Sequence, residues 1–312
     1  MKSGKEKILI VKLGYSETLI PEIRRTCSLG DVFRSTTVLH LFKDCHVTWL
    51  TDYAAIPLLR GNPHIHNLLG FDLVSVLQLE SERFDKVINL EKVPGICAMV
   101  NRIHAWSHYG FRFDETTGTA KAYDRAHEAL AVANRADLKS LKGRCWAQLI
   151  YQMLGQEWQG QSYILGYKPS SAVQVDLGFN TQVGDLIPVK AWPPGHWKRL
   201  EELARGKHTV GYQQALGNLE QYMEWIHSCR MLVTNDSLGL FLAVAMGKKV
   251  LGLFGPTAAS EVAPQPNLRT LEPANFDDCR PCLRATCARG DPCIRHIEPE
   301  TVFRAIESWG LG

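Results

Sequence analysis

No apolar run in this 312-residue chain approaches the roughly 20 residues needed to span a bilayer, so membrane-spanning helices are not expected. Charge of one dominant sign is missing too. Lys and Arg number 35 against 32 Asp and Glu, and the net +3 is far from a nucleic-acid-binding coat while compatible with an anionic ligand. A secretory pattern is absent from MKSGKEKILIVKLGY, where basic residues precede an apolar run of only five; the run reads as a buried first strand. What is there, 45% hydrophobic and 21% charged residues, is the composition of a globular protein with ample core, and the length suits about two domains.

The nine cysteines divide into two kinds. Cys27, Cys45, Cys97, Cys145 and Cys229 are scattered and read as reduced, cytosolic residues. Cys279, Cys282, Cys287 and Cys293 gather in CRPCLRATCARGDPC. Four soft ligands so close together can form a tetrahedral structural site for zinc or iron, with His296 as a spare ligand. Two disulfides or four free thiols are the alternatives. A filled site would pin an irregular loop and keep no open position for chemistry. His104 and His108 could share a helix face, but spacing offers them no third ligand, so surface or core positions are expected.

The most informative stretch is MLVTNDSLGLFLAVAMGKKVLGLFGPT, Met231 to Thr257. It reads as a buried strand, a polar turn (Asn235-Asp236-Ser237), an apolar helix from Leu238 stopped by Gly247, and a second buried strand. Strands apolar throughout belong to a parallel sheet with helices on both faces. The turns Asn235-Asp236-Ser237 and Gly255-Pro256-Thr257 both follow carboxyl ends of strands, the edge where open α/β sheets bind ligands.

The first half alternates similarly: strand KILIVKL, a long loop to Cys27, helix DVFRSTTVLHLFK, strand HVTWLT, and short strands near Asn67 and Lys86. Ser28-Leu29-Gly30-Asp31 reads either as a capping box or as a loop-to-helix junction presenting Asp31 as a general base. From about Glu91 the pattern becomes helical, including TAKAYDRAHEALAVANRADL, and GQEWQGQSYILGYKPSS reads as the linker. The second half adds strand VQVDLGF, helix GHWKRLEELARG, strand HTVGY and helix LEQYMEWIHSC. Lys190 precedes a helix start, a place suited to a phosphate.

In order, ILIVKL, SLGDVFRSTTVLHLFK, VTWLT, NTQVGDLIPVKAWPPGHW, VTNDSLGLFLAVAMGKKVLGLFGPT and the four-cysteine segment with its closing helix resemble glycosyltransferase family 9. These are heptosyltransferases that use ADP-heptose in lipopolysaccharide core assembly. The resemblance implies the GT-B fold, two Rossmann-like doubly wound α/β domains facing across a cleft. The expected spans are 1–165 for the acceptor domain and 166–298 for the nucleotide-sugar domain with its cysteine segment 279–293. Residues 299–312 are expected to form a terminal helix returning to the first domain.

The resemblance further implies inversion at the anomeric carbon with no cofactor in the chemical step. Asp31 falls on the family's proposed base, and Lys190 on the lysine beside the diphosphate. Asp236 falls on the aspartate of the DSG-type turn; a carboxylate repels phosphate, so its expected contacts are sugar hydroxyls. Ser28, Gly30, Thr181, Ser237, Gly239, Gly255, Pro256 and Thr257 complete the expected substrate-binding set. The implied partners are ADP-heptose and a glycan or lipid-linked acceptor of lipopolysaccharide-core type, with no nucleic acid. The implied location is cytoplasmic, at most peripheral to the inner face of the inner membrane.

The chain departs from the family's DSGxxH turn, since its glycine is displaced by one to Gly239 and Phe241 stands in place of histidine. Gln213 and Gln214 stand where many members carry a ribose-contacting acid. The loop Gly14 to Cys27 adds Tyr15, Glu17, Glu22, Arg24 and Arg25 on the expected acceptor side. A transferase using another NDP-sugar or a protein or natural-product acceptor stays open, as does a degenerate member that binds a sugar nucleotide without turnover. A GT-B-shaped epimerase would need an acid/base pair, and the sequence offers one good base.

Overall fold

The computed structural model describes residues 4–15, 26–133, 143–213 and 217–311; Glu17, Glu22, Arg24, Arg25 and Gln214 lie outside them. The chain divides into two units, Met1–Tyr167 and Lys168–Gly312.

The first unit runs β1 (Lys7–Val11), α1 (Leu29–Arg34), β2 (His46–Thr51), α2 (Ile56–Leu59), β3 (Asn67–Gly70), α3 (Leu73–Ser81), β4 (Arg83–Asn89), α4 (Pro94–Arg102), β5 (His104–Asp114), β6 (Thr119–Ala122), α5 (His127–Ala133) and α6 (Trp146–Met153). Its sheet has the order β3-β2-β1-β4-β5-β6, parallel except for β6. The two-residue period of β1 sends Ile8 and Ile10 into a core with Trp49, Ile88 and Trp146, while Leu9 and Val11 join Leu50, Val87 and Val100. Both faces are therefore covered, which is why the strand is apolar throughout.

Two expectations change here. The segment DVFRSTTVLHLFK is not one α-helix, because α1 tightens into a 3-10 run over Ser35–Phe42. The hydroxyls of Ser35 and Thr36 donate to the carbonyls of Asp31 and Phe33, each at 2.7 Å, competing with the backbone ladder. Thr119–Ala122, expected in a helix, pairs antiparallel with β5 through a turn in which Gly118 takes φ +67° and donates to the Asp114 carbonyl. His104 and His108 lie on that strand, where residues four apart are separated by roughly 13 Å. They cannot grip one ion together.

The second unit runs β7 (Val175–Asn180), α7 (Pro194–Ala204), β8 (Val210–Tyr212), α8 (Leu219–His227), β9 (Cys229–Asn235), α9 (Leu238–Ala245), β10 (Lys249–Leu253), β11 (Leu268–Leu271) and α10 (Pro299–Trp309). All pairs are parallel in the order β11-β10-β9-β7-β8. The short edge strand β11 gave no sequence signal, since LRTL is only partly buried. The terminal helix α10, expected to return to the first domain, belongs instead to the second unit. Its apolar face, Val302 and Ile306, packs into the core holding Trp197, Leu200 and Ala204 of α7. Glu300 pairs with Arg199 at 2.9 Å, and Glu307 with Lys207 at 3.2 Å, fixing the same register from the solvent side.

Each sheet reverses its strand order once, between β1 and β4 in the first unit and between β7 and β9 in the second. At such switch points the connections leave in opposite directions and open a crevice at the carboxyl edge. Among the described residues, no helix is long and apolar enough to cross a membrane.

Candidate functional site

At the first switch point, β1 is followed by Lys12-Leu13-Gly14 and β4 by Glu91-Lys92. Lys12, Glu91 and Lys92 are at most 1% exposed. The Glu91 carboxylate accepts the backbone N–H groups of Leu13 (2.8 Å) and Gly14 (2.7 Å) and lies 3.5 Å from the Lys12 ammonium. Buried charges persist only when paired and hydrogen-bonded in this way. Gly14 takes φ +80°, and a Cβ there would stand 2.8 Å from the Ser28 carbonyl. Its own carbonyl accepts the Ser28 N–H at 2.7 Å, so the two ends of the long loop are tied together.

That tie positions α1. Ser28 occupies the N-cap position, but its side chain makes no capping bond, so the capping box is not formed; its carbonyl accepts the N–H groups of Asp31 and Val32 instead. Gly30 lies in the first turn, beside Asp31. The Asp31 carboxylate, in a residue 7% exposed, sits 2.7 Å from the Arg34 guanidinium. Arg34 lies over the Trp146 ring at 5.4 Å, and the Lys92 ammonium lies over that ring at 4.7 Å. Burial, then the Asp52 carboxylate, pushes the neighbouring Cys27 thiol up to about 12, so it stays protonated at neutral pH. Sequence reasoning missed Lys12, Arg34, Glu91 and Lys92. The available signal was charge placed directly behind buried strands, as in ILIVK and VINLEK.

At the second switch point, Lys190 ends a 3-10 turn, Pro188–Lys190, and its ammonium donates to Asp236 Oδ2 at 2.9 Å and the Asp236 carbonyl at 3.3 Å. Residues expected to act on different parts of a ligand thus form one ion pair. A buried polar network holds them. Asn235 accepts the Trp192 N–H at 3.0 Å and donates to the Thr181 carbonyl at 2.9 Å, joining the Lys190 loop to β9. Asn180 donates to Thr234 Oγ1 (2.7 Å) and Ser237 Oγ (2.9 Å) and accepts from Tyr222 (2.9 Å). Burial pushes the Tyr222 phenol far up, so it remains a neutral donor.

Ser237 is the N-cap residue of α9 by position, without a side-chain capping bond. The displaced glycine has a packing reason: a Cβ on Gly239 would stand 2.3 Å from the Tyr222 hydroxyl. Phe241, at 5% exposure, is part of the buried interior. Gln213 accepts the Gln182 N–H at 3.3 Å.

The turn Gly255-Pro256-Thr257 is clasped by the cysteine segment. Arg280 donates to the Gly255 carbonyl at 2.6 Å and the Thr257 carbonyl at 3.3 Å, and the Pro256 carbonyl accepts from Cys282 (2.9 Å) and Leu283 (3.1 Å). Among the described residues, the buried Thr257 hydroxyl has no hydrogen-bond partner. Cys279, Cys282, Cys287 and Cys293 line one cavity of about 430 Å³, together with Val189, Pro256 and Arg280. All four are free thiols, and among the described residues no three His, Cys, Asp or Glu side chains are disposed to hold a metal ion. Burial raises the Cys293 thiol; Arg280 opposes that shift and the other three thiols add to it.

Residues 191–291 match the family profile described as glycosyltransferase family 9 (heptosyltransferase). Over those residues the chain is similar to that family. Lipooligosaccharide heptosyltransferase 2 of Campylobacter jejuni is 28% identical over 81 residues, 25% of each chain, so the chain matches a quarter of that relative's length. In structure the likeness spans both units. E. coli heptosyltransferase WaaC, solved with ADP, superposes with TM-score 0.63 at 13% identity over 97% of this chain and all of that one. The iron-containing dodecameric glycosyltransferase TibC of enterotoxigenic E. coli gives 0.60 at 11% identity, over 98% of this chain and 76% of that one. These likenesses show the GT-B fold.

Proposed function

We propose that the protein is an inverting glycosyltransferase that moves a heptose from ADP-heptose to a hydroxyl of a lipopolysaccharide-core-type glycan. The observation that carries this reading is the Lys190–Asp236 pair at the switch point of a unit matching the family profile. Asp236 orients the ammonium, and Lys190 stabilises the negative charge that builds on the departing ADP. Ser237, Thr181 and the Gly255-Pro256-Thr257 turn stand around the same sheet edge as donor contacts. Asp31 takes the proton of the acceptor hydroxyl while its oxygen attacks the anomeric carbon and the bond to the diphosphate breaks. Arg34 holds the Asp31 carboxylate in one orientation. No cofactor enters this step. On this reading the protein works on the cytoplasmic side, with at most peripheral membrane contact.

The cysteine segment suits a metal by its donor chemistry, although as placed no three side chains among its described residues are disposed to hold one. Four thiols around one cavity are a soft donor set of the kind that suits zinc or iron. Cys279, Cys282, Cys287 and Cys293 would hold it, and its part would be to pin the segment.

A second reading, a transferase for another NDP-sugar or acceptor, is favoured by the burial of Phe241 and the backbone tie of Gln213, which change the family's expected donor contacts. Calorimetry with ADP, UDP, GDP and ADP-heptose separates the two. Selective binding of ADP and ADP-heptose, weakened in Lys190→Ala, is the expected result. Preference for UDP or GDP would replace the sugar, and binding of none would leave a degenerate protein without donor function.

A further inference from the structure

We propose that Arg280 is a donor-positioning residue, through which the cysteine segment sets the shape of the Gly255-Pro256-Thr257 turn for a nucleoside diphosphate. The proposal rests on the reading of that turn as part of the donor site. Arg280 lies between Cys279 and Cys282 and is only 9% exposed. Its Nε donates to the Gly255 carbonyl, and its Nη2 reaches both the Thr257 carbonyl and Glu272 Oε1, the last at 2.5 Å. Glu272 in turn accepts the Ala259 N–H at 3.1 Å. One guanidinium therefore grips both ends of the turn and, through Glu272, the residue two positions beyond it.

The middle carbonyl, that of Pro256, is taken by the N–H groups of Cys282 and Leu283. Every carbonyl of the turn is thus drawn toward residues 280–283. In a trans peptide the C=O and N–H of one plane point in opposite directions. Drawing the carbonyls of Pro256 and Thr257 to the cysteine side turns the N–H groups of Thr257 and Ala258 the other way. Successive N–H groups presented on one side of a turn form a concavity for anionic oxygens, which is what a diphosphate offers. A lysine has no planar fork and cannot span Gly255, Thr257 and Glu272 at once.

The cavity shared by the four cysteines and Pro256 makes the arrangement responsive. A change at Cys279 or Cys282 moves the backbone that carries Arg280 and the Cys282 N–H, and therefore moves the turn. The cysteine segment thus acts on the donor through the turn.

The test is ADP binding by calorimetry on the full chain, comparing wild type with Arg280→Lys, Arg280→Ala and Cys282→Ser. Both Arg280 variants are expected to bind ADP about tenfold or more weakly, the effect of losing a charge-assisted hydrogen bond. Free guanidinium, well below denaturing concentration, should restore affinity in Arg280→Ala, while equal sodium chloride should not. Cys282→Ser should weaken ADP binding in the wild-type background and have little further effect with Arg280→Ala. Unchanged ADP affinity in a folded Arg280→Lys protein would overturn the proposal. So would a loss that guanidinium leaves untouched, which marks a structural role only. Failure of the wild type to bind ADP would remove the donor reading itself.

Discussion

Gly239→Ala isolates the feature by which the donor turn departs from the family pattern. A Cβ at this position would meet the Tyr222 hydroxyl at 2.3 Å, Asn180 Nδ2 at 2.5 Å and Asn180 Cγ at 3.0 Å. These atoms cannot swing aside freely. Asn180 is fully buried, and its amide is committed to Thr234, Ser237 and Tyr222. Alanine gains up to about 1 kcal/mol of helix propensity over glycine. Against that, breaking the Tyr222–Asn180 bond and leaving a buried group unpaired costs roughly 1–3 kcal/mol, and overpacking adds about the same.

The net expectation is destabilisation by about 1–5 kcal/mol, with β9 and the start of α9 displaced together. Hydrogen exchange over Thr234–Ala245, beside a calorimetric melt, reads this locally, which matters because a chain of two units need not unfold in one step. In a Tyr222→Phe background the hydroxyl is gone, Asn180 can move into its place, and the cost of Gly239→Ala should fall by about 1 kcal/mol. An alanine variant as stable as the wild type, or an identical cost in both backgrounds, would refute the packing account of this glycine.

Asp31→Asn should lower the rate of transfer to a lipopolysaccharide-core acceptor at least about a hundredfold, with calorimetric ADP affinity unchanged. A mild effect would return Asp31 to a structural role with Arg34. Asp176 is held below the ordinary carboxylate range by the Thr209 N–H and hydroxyl, with Arg230 and His208 adding. Its stabilisation is therefore complete above the unfolded value near about 3.9 and disappears as pH falls through the lower folded one. Urea midpoints should show Asp176→Asn weaker than wild type at pH 7 and the two converging in acid; a constant difference would exclude the ionised carboxylate as the cause. Elemental analysis should find one zinc or iron per chain, and Cys279→Ser should lose it and lower the melting temperature. Metal-free wild-type protein of full stability would refute a structural metal.

Much of this protein was determined by short-range sequence pattern. ILIV and MLVT are buried on both faces, so they are apolar without alternation, and Gly247 ends α9 where a left-handed residue is required. Asp31, Asp236 and Lys190 could be placed at strand-to-helix junctions because those junctions are marked by local turn residues. The β5–β6 hairpin is not marked in this way, because TAKA suits a helix about as well as an edge strand and the Asp114–Gly118 turn that pairs it with β5 closes through a backbone bond.

What only the tertiary structure decided is which distant groups meet. Glu91 reaches the backbone of Leu13 and Gly14 because the order β3-β2-β1-β4 sets the end of β4 beside that of β1. Asn180 meets Tyr222 and Ser237 for the corresponding reason at β7 and β9, and that meeting decides why Gly239 has no side chain. The helix α10 found α7, and Arg280 found the Gly255-Pro256-Thr257 turn, through faces whose complementarity exists only after the sheet is assembled. Periodicity and caps act over a few residues of chain and are written locally, whereas a hydrogen bond between residues far apart in sequence is selected by the order in which strands pair.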